Sequence, residues 1–325
     1  SYNIFMKYAY NSWVRNIYSF YAVKGHVSLE NAYHCEIRDS YFYNAHRYGS
    51  TGMAYGADMK FRSTLNLVEN NIFRKLRHSM IVSIGCNGNV YGYNYSRESH
   101  DQLGAGVNTK CDISIHGFYP FMNLFEGNIV QYIYSGDWNG ASGPGNTFFR
   151  NRVYDKPLKV KNGSHRQNII GNELTNWALG GPGLNSNIEI ASNCNNTNQH
   201  SNNDRGNIDN NLFHTLPISL YRSNSNNLYG FQIPSIGPYY PIEEHINLAY
   251  HNYLNNTYVD CLPNCNLNIN QMDSIYKTCH NTISITGPSY PTKRVLHGIK
   301  INSIPNNYGG GLEGDPELYY KIKNG

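Results

Sequence analysis

Arg77, His78, Glu98, His100 and Asp101 bring a strong cation, two imidazoles and two carboxylates into one short part of the chain. That mixture suits proton abstraction from a carbon next to a carboxylate. An imidazole takes the proton, the guanidinium neutralises the acid group, and Glu98 and Asp101 serve as acids or calcium ligands. Hydrolysis of a glycosidic bond would instead need two carboxylates ~5–9.5 Å apart, for which Glu98 and Glu126 are the candidates. His116, in SIHGFYP, is a further ligand or base candidate, although a structural role suits it better. A second group of residues points to adhesion without reaction: Tyr41, Tyr43, Tyr132, Tyr134 and Trp138, joined by Tyr221, Tyr229, Phe231, Tyr239 and Tyr240. Burying ~100 Å² of each ring contributes at most about 2.5 kcal/mol at 25 cal/mol per Å². Immobilising a partner costs ~4–15 kcal/mol, so several rings must engage together.

Neither group acts unless the chain brings its members together, and a repeat supplies the means. Asparagine recurs in pairs at Asn66/Asn71 (NLVENNIF), Asn89/Asn94 (NVYGYNYS), Asn123/Asn128 (NLFEGNIV) and Asn146/Asn151 (NTFFRNRV). Degenerate copies stand at His34/Asp39, Asn168/Asn172 and Asn207/Asn211, and an insertion at 101–115 lengthens one step. Each copy holds two short apolar runs joined by a polar corner, with no 3.6-residue period, which is the signature of a β-solenoid. The second asparagine is expected at a sharp left-handed bend, with equivalent side chains stacked from coil to coil. Alternation then directs residues one, three and five past this corner inward and two, four and six outward. That register stacks Tyr43, Lys75, Glu98, Tyr132 and Asp155 in one outward column, and Ala45, Arg77, His100 and Tyr134 in the next. His46, His78, Asp101 and Ser135 follow at the strand ends. A plainly solvated face remains the competing account, since exposed pairs such as Lys75–Glu98 contribute only about 0–1 kcal/mol.

The pattern resembles the right-handed parallel β-helix of the pectate-lyase-like superfamily over roughly residues 10–215. The expectation is an all-β solenoid core over 1–215 with long loop insertions, among them a long polar one over 179–207. A long aromatic loop and a C-terminal cap or side lobe over 216–325 would complete one structural domain. Pectate lyases of that superfamily commonly carry a cluster of aspartates for calcium, and the columns here have no DxD-type run, which weighs against lyase chemistry. A β-helix with long Asn- and Tyr-rich aromatic loops is also similar to the cellulose-binding domain of the tāpirins, adhesins of plant-biomass-degrading thermophilic bacteria. That resemblance implies non-catalytic attachment to cellulose, with no metal, no cofactor and no reaction. The alternative is a polysaccharide lyase or glycoside hydrolase working along the 75–134 flank. A structural surface-layer or filament component is a third reading.

Composition agrees with an extracellular or cell-surface role. Of 325 residues only 15% are charged, while 29 are tyrosine, a side chain suited to half-wet surfaces. The net charge is +4 with the basic residues dispersed, so no nucleic-acid footprint is present. No apolar stretch nears the ~20 residues of a membrane-spanning helix. The expected partner is a plant cell-wall polysaccharide and the expected state a monomer, with Ser1 read as the trimmed edge of a larger polypeptide. The seven cysteines form no paired CxxC set, which argues against zinc. Cys265 with Cys279 is one possible disulfide, and an odd count leaves at least one thiol over.

Overall fold

Inward-facing amides decide the path of this chain. A computed structural model describes residues 1–48, 52–101, 109–137, 139–174, 188–200 and 202–204, together with 220, 247, 249, 250, 253 and 294–297. The protein is all-β, a right-handed parallel β-helix in which each coil gives one strand to each of three parallel sheets. The first coil supplies Tyr2–Lys7, Trp13–Arg15 and Ile17–Ala22 to the first, second and third sheets. The eighth supplies Ile188–Ile190, Asn198–His200 and Asn203–Asp204. Strand Arg294–His297 adds to the third sheet beside Ile17–Ala22. Most of the expected 216–325 lobe, with Cys261, Cys265 and Cys279, lies outside the described residues.

Two expected insertions prove to be partly coil. The stretch 179–207 contains the eighth coil, whose Ile188, Ile190, Ala191 and Cys194 pack on the apolar interior. Likewise 101–115 includes most of Ile113–His116, a strand of the first sheet. Among the eight coils the two longest connections, 98–112 after Arg97 and 175–187 after Leu174, both fall at one corner, between the third and first sheets. Coils without an excursion cross that corner in a few residues, as from Arg74 to His78.

Both asparagines of each pair point into the coil and form two parallel ladders. In one, Asn71, Asn94, Asn128, Asn151, Asn172 and Asn202 stand one above another. The Oδ1 of Asn128 accepts the backbone N–H of Asn94 at 3.0 Å and its side-chain N–H at 3.0 Å. Its own Nδ2 donates to Tyr91 O at 2.8 Å and to Asn151 Oδ1 at 2.9 Å. The other ladder runs Asn66, Asn89, Asn123, Asn146 and ends on Gln167. Two sequence assignments move as a result. His34 and Asp39 stand one residue ahead of the ladders, whose positions Cys35 and Ser40 occupy. The left-handed bend falls on the residue before each ladder asparagine, at Asn70, Tyr93, Gly127, Arg150 and Gly171.

The inward asparagine also reverses the expected register. The residue after it faces outward and the next inward, so Phe42, Phe73, Val130 and Val153 line the interior while Tyr41, Ile72 and Ile129 face out. Tyr43 therefore aligns with Arg74, not with Lys75 or Glu98, which occupy left-handed corner positions. Inside, rings stack from coil to coil: Phe42 on Phe73 at 5.1 Å, Tyr91 on Phe125 at 5.0 Å, and Phe125 on Phe148 at 5.2 Å. The described cysteines, Cys35, Cys86, Cys111 and Cys194, are buried free thiols.

Asn128→Ala leaves two donors of Asn94, the carbonyl of Tyr91 and the Oδ1 of Asn151 short of a partner. At about 1–3 kcal/mol for each buried orphan, denaturant titration should show a loss of at least about 3 kcal/mol. Asn168→Ala, at a half-buried position outside the ladders, should cost less than about 1 kcal/mol.

Candidate functional site

Chain segments 8–12, 31–35, 61–66, 84–89, 117–123, 136–146, 161–167 and 191–197 carry the eight coils from the first sheet to the second. Neighbouring coils lie ~4.8 Å apart, so this corner is an edge roughly 34 Å long, running parallel to the axis of the solenoid. Eleven large apolar side chains are exposed among the described residues, and eight of them stand on this edge. They are Tyr8, Tyr10, Tyr33, Phe61, Leu65, Phe118, Tyr119 and Met122, each 40–64% accessible, with Trp13 at 57% just beyond.

Backbone geometry makes this arrangement costly. Tyr8, Phe61, Leu65, Phe118, Tyr119 and Met122 all have φ between 52° and 63°. Bulky side chains in the left-handed region cost of order 1–2 kcal/mol, and glycine or asparagine would serve there more cheaply. The chain does use Asn11, Asn31, Gly85 and Gly88 at other bends of the same edge. Here, then, side chains that gain little from burial are kept in a strained conformation.

The neighbouring coils seat these side chains. Tyr10 stacks on Tyr33 at 5.5 Å with 13° between the ring planes, on a column of paired backbone that continues through Thr64, Asn87 and Phe121. Leu65 lies over Gly88 and Met122 over Gly145, where an added Cβ would stand 3.0 Å and 3.1 Å from them. Tyr119 rests on Gly143, whose Cβ would come within 2.8 Å of the ring. Beyond Tyr119 the edge opens into a cavity of about 300 Å³, lined chiefly by that ring with Ser142, His165, Arg166, Asn195 and Asn196. Across all eight segments Asp137 is the single carboxylate, and it is bound to the Nδ1 of His116 and capped by the Asn139 backbone N–H at 3.0 Å.

The residues singled out in the sequence are dispersed. Tyr41 and Tyr43 point outward from the third sheet but are only 1% and 3% exposed, because Ala249, Tyr250 and Tyr253 pack on that face with Tyr18, Phe20 and Tyr95. They form no open platform. Tyr132 and Tyr134 lie half-buried on the outside of the first sheet, their rings stacked 6.0 Å apart with planes nearly parallel, and Lys159 lies over Tyr132. Trp138, Tyr221, Tyr229, Phe231, Tyr239 and Tyr240 lie outside the described residues.

The acid–base candidates do not converge. Glu98 is clamped by Arg74 at 2.7 Å and 3.1 Å and also paired with Arg97, and these guanidinium groups hold its pKa down against burial. Asp101 pairs with Lys110 at 2.9 Å, and His100 stacks on Tyr48. Glu126 is buried, accepting from the Tyr93 hydroxyl and the Leu220 N–H. Arg77 reaches the Tyr55 hydroxyl at 3.4 Å. His78 is buried with its Nδ1 2.7 Å from the carbonyl of Cys111. Among the described residues no three His, Cys, Asp or Glu side chains gather around a cation position.

No family model, curated protein or solved structure matches this chain. The exposed edge went unnoticed in the sequence because its apolar residues follow no strand period. The available signal was positional: Leu65 and Met122 immediately precede the first asparagine of a pair, and Phe61 and Phe118 stand four residues further back.

Burial pushes His78 and His26 down to about 3. Below pH 6.5 the unfolded chain takes up protons that these folded imidazoles refuse, so each loses about 1.4 kcal/mol of stability per pH unit on acidification. Burial raises Asp112 to about 6, and its effect between pH 4 and 6 has the opposite sign, offsetting one imidazole. Unfolding titrations should therefore show stability falling by about 1.4 kcal/mol per unit from pH 6 to 4. His78→Asn, which preserves a donor to the Cys111 carbonyl, should remove most of that slope.

Proposed function

We propose that this protein is a non-catalytic polysaccharide-binding module, and that the edge between its first and second sheets is the binding surface. The supporting observation is the set of exposed apolar side chains held at left-handed φ on the first, third and fifth coils. Strained backbone and solvent-exposed rings both disfavour the free fold, and such features concentrate where a partner is bound. Aromatic rings present flat apolar faces, which match the apolar faces of sugar rings. A solenoid holds them at fixed spacing, so little further ordering is needed on binding. The reading places the protein outside the cell or on its surface as an adhesin, with insoluble plant-wall glycan, cellulose first, as the partner. It keeps the role expected from the tāpirin resemblance and moves the surface from Tyr41 and Tyr43 to Tyr10, Tyr33, Phe118 and Tyr119.

Adsorption to microcrystalline cellulose and to insoluble plant-wall material tests this directly. Tyr10→Ala combined with Tyr33→Ala should lower the bound fraction at least tenfold, with Tyr132→Ala/Tyr134→Ala having the smaller effect. Phe118→Asn should weaken adsorption while raising unfolding stability by about 0.5–1 kcal/mol, because asparagine tolerates that φ better. Destabilisation by Phe118→Asn with adsorption intact would show that the row exists for the fold. Release of reducing ends or new uronate absorbance would show that the protein is an enzyme.

A further inference from the structure

We infer that the cavity beyond Tyr119 is a subsite for an anionic sugar unit, one bearing a carboxylate or a sulfate; this rests on the polysaccharide-binding reading of the edge that leads into it. The cavity combines one aromatic wall with a set of polar side chains that includes a guanidinium. Tyr119 is 59% exposed while one side of its ring is pressed against Gly143, so a sugar ring can stack on the other. The backbone N–H of Asn195 donates to His165 Nδ1 at 3.0 Å. The neutral ring therefore carries its hydrogen on Nε2, the nitrogen nearer Gly163 in the cavity lining. Arg166, Asn195 and Asn196 add a guanidinium and two amides, and among the described residues no carboxylate lines the cavity.

Arg166 is exposed at the mouth of this cavity, and among the described residues its charge is not neutralised as those of the more buried cations are. Arg38, Lys60, Arg74 and Arg152 each face a carboxylate within 4 Å, whereas no ion pair holds Arg166 among the described residues. The fold does not need its side chain. Its backbone N–H donates to Asn195 O at 3.0 Å, and its carbonyl accepts from Gly145 N–H at 2.8 Å. A neutral-sugar site gains from carboxylates that accept hydroxyl protons, and the described residues of this cavity offer none. An unpaired guanidinium beside N–H donors suits an acid group, to which it can form two parallel hydrogen bonds. The volume of about 300 Å³ is at the lower end of ordinary ligand sites, enough for a terminal or branch unit.

Titration calorimetry on the 325-residue protein would use three oligosaccharides of equal length: a cello-oligosaccharide, an oligogalacturonide and a sulfated cello-oligosaccharide. At least one acidic ligand should bind about tenfold more tightly than the neutral one. A gain confined to the oligogalacturonide identifies carboxylate as the group bound; a gain confined to the sulfated ligand identifies sulfate. Arg166→Asn keeps a side chain that tolerates φ of +54°; it should erase the preference by lowering the affinity for the acidic ligand about tenfold. Equal binding of all three by the wild type, or a preference that survives Arg166→Asn, would overturn the subsite while the edge reading stands. Loss of all binding in the Tyr10→Ala/Tyr33→Ala variant supports the edge. Failure of the wild type to bind any of the three oligosaccharides or to adsorb to insoluble glycan overturns both.

Discussion

An amide side chain turned into the coil is the interaction on which everything else in this molecule rests. Each ladder asparagine meets donors and acceptors of the coils on either side, at corners where the strand ladders have stopped. Without it, buried N–H and C=O groups would be left at every corner, each at a cost of a kcal/mol or more. Side-chain amides suit the task because donor and acceptor share one rigid plane and neighbouring coils stand at the ~4.8 Å spacing of paired strands. Where the ladder begins, Ser40 accepts the Ile17 N–H on its hydroxyl, and where the other ends, Gln167 extends the same chemistry with a longer arm.

With that side chain pointing inward, the facing of its neighbours follows. On the third sheet the first residue past the amide points away from the axis, and an outward aromatic column forms from Tyr18, Tyr41 and Tyr95. It is closed by Tyr250 and Tyr253, both 5.0 Å from Tyr95, while Asn247 donates to the carbonyls of Asn94 and Gly127. Among the described residues nothing comparable covers the rings of the edge between first and second sheets. Two aromatic surfaces of similar chemistry thus have opposite fates, one contributing to the packing and one left to solvent.

How much of this was legible in the sequence depended on whether a signal repeats. Asn66, Asn89, Asn123 and Asn146 repeat, and the ladder, the parallel sheets and the period could be read from them. The facing could not, because spacing alone does not say whether an asparagine bends the chain or fills the corner, and that one choice exchanged the inner and outer sets. Tyr41 and Tyr43 were readable as outward, but what packs on that face comes from Ala249, Tyr250 and Tyr253, far along the chain. The eighth coil was obscured because polar residues surround Ile188, Ile190 and Cys194. As for the edge, Phe61, Phe118 and Tyr119 break the rule that favours glycine or asparagine at a left-handed bend, and an exception of that kind becomes visible only when φ is known.

The two longest connections of the coils lie at the corner between the third and first sheets, and most of the described exposed rings lie at a different corner. Segregating variation in this way frees one edge of the molecule to lengthen or shorten while the amide stack and the opposite rim keep their spacing. Related chains could differ by many residues in length and still offer an identical aromatic rim, and a foreign loop grafted between Arg97 and Ile113 would extend the surface of this protein without shifting its coils.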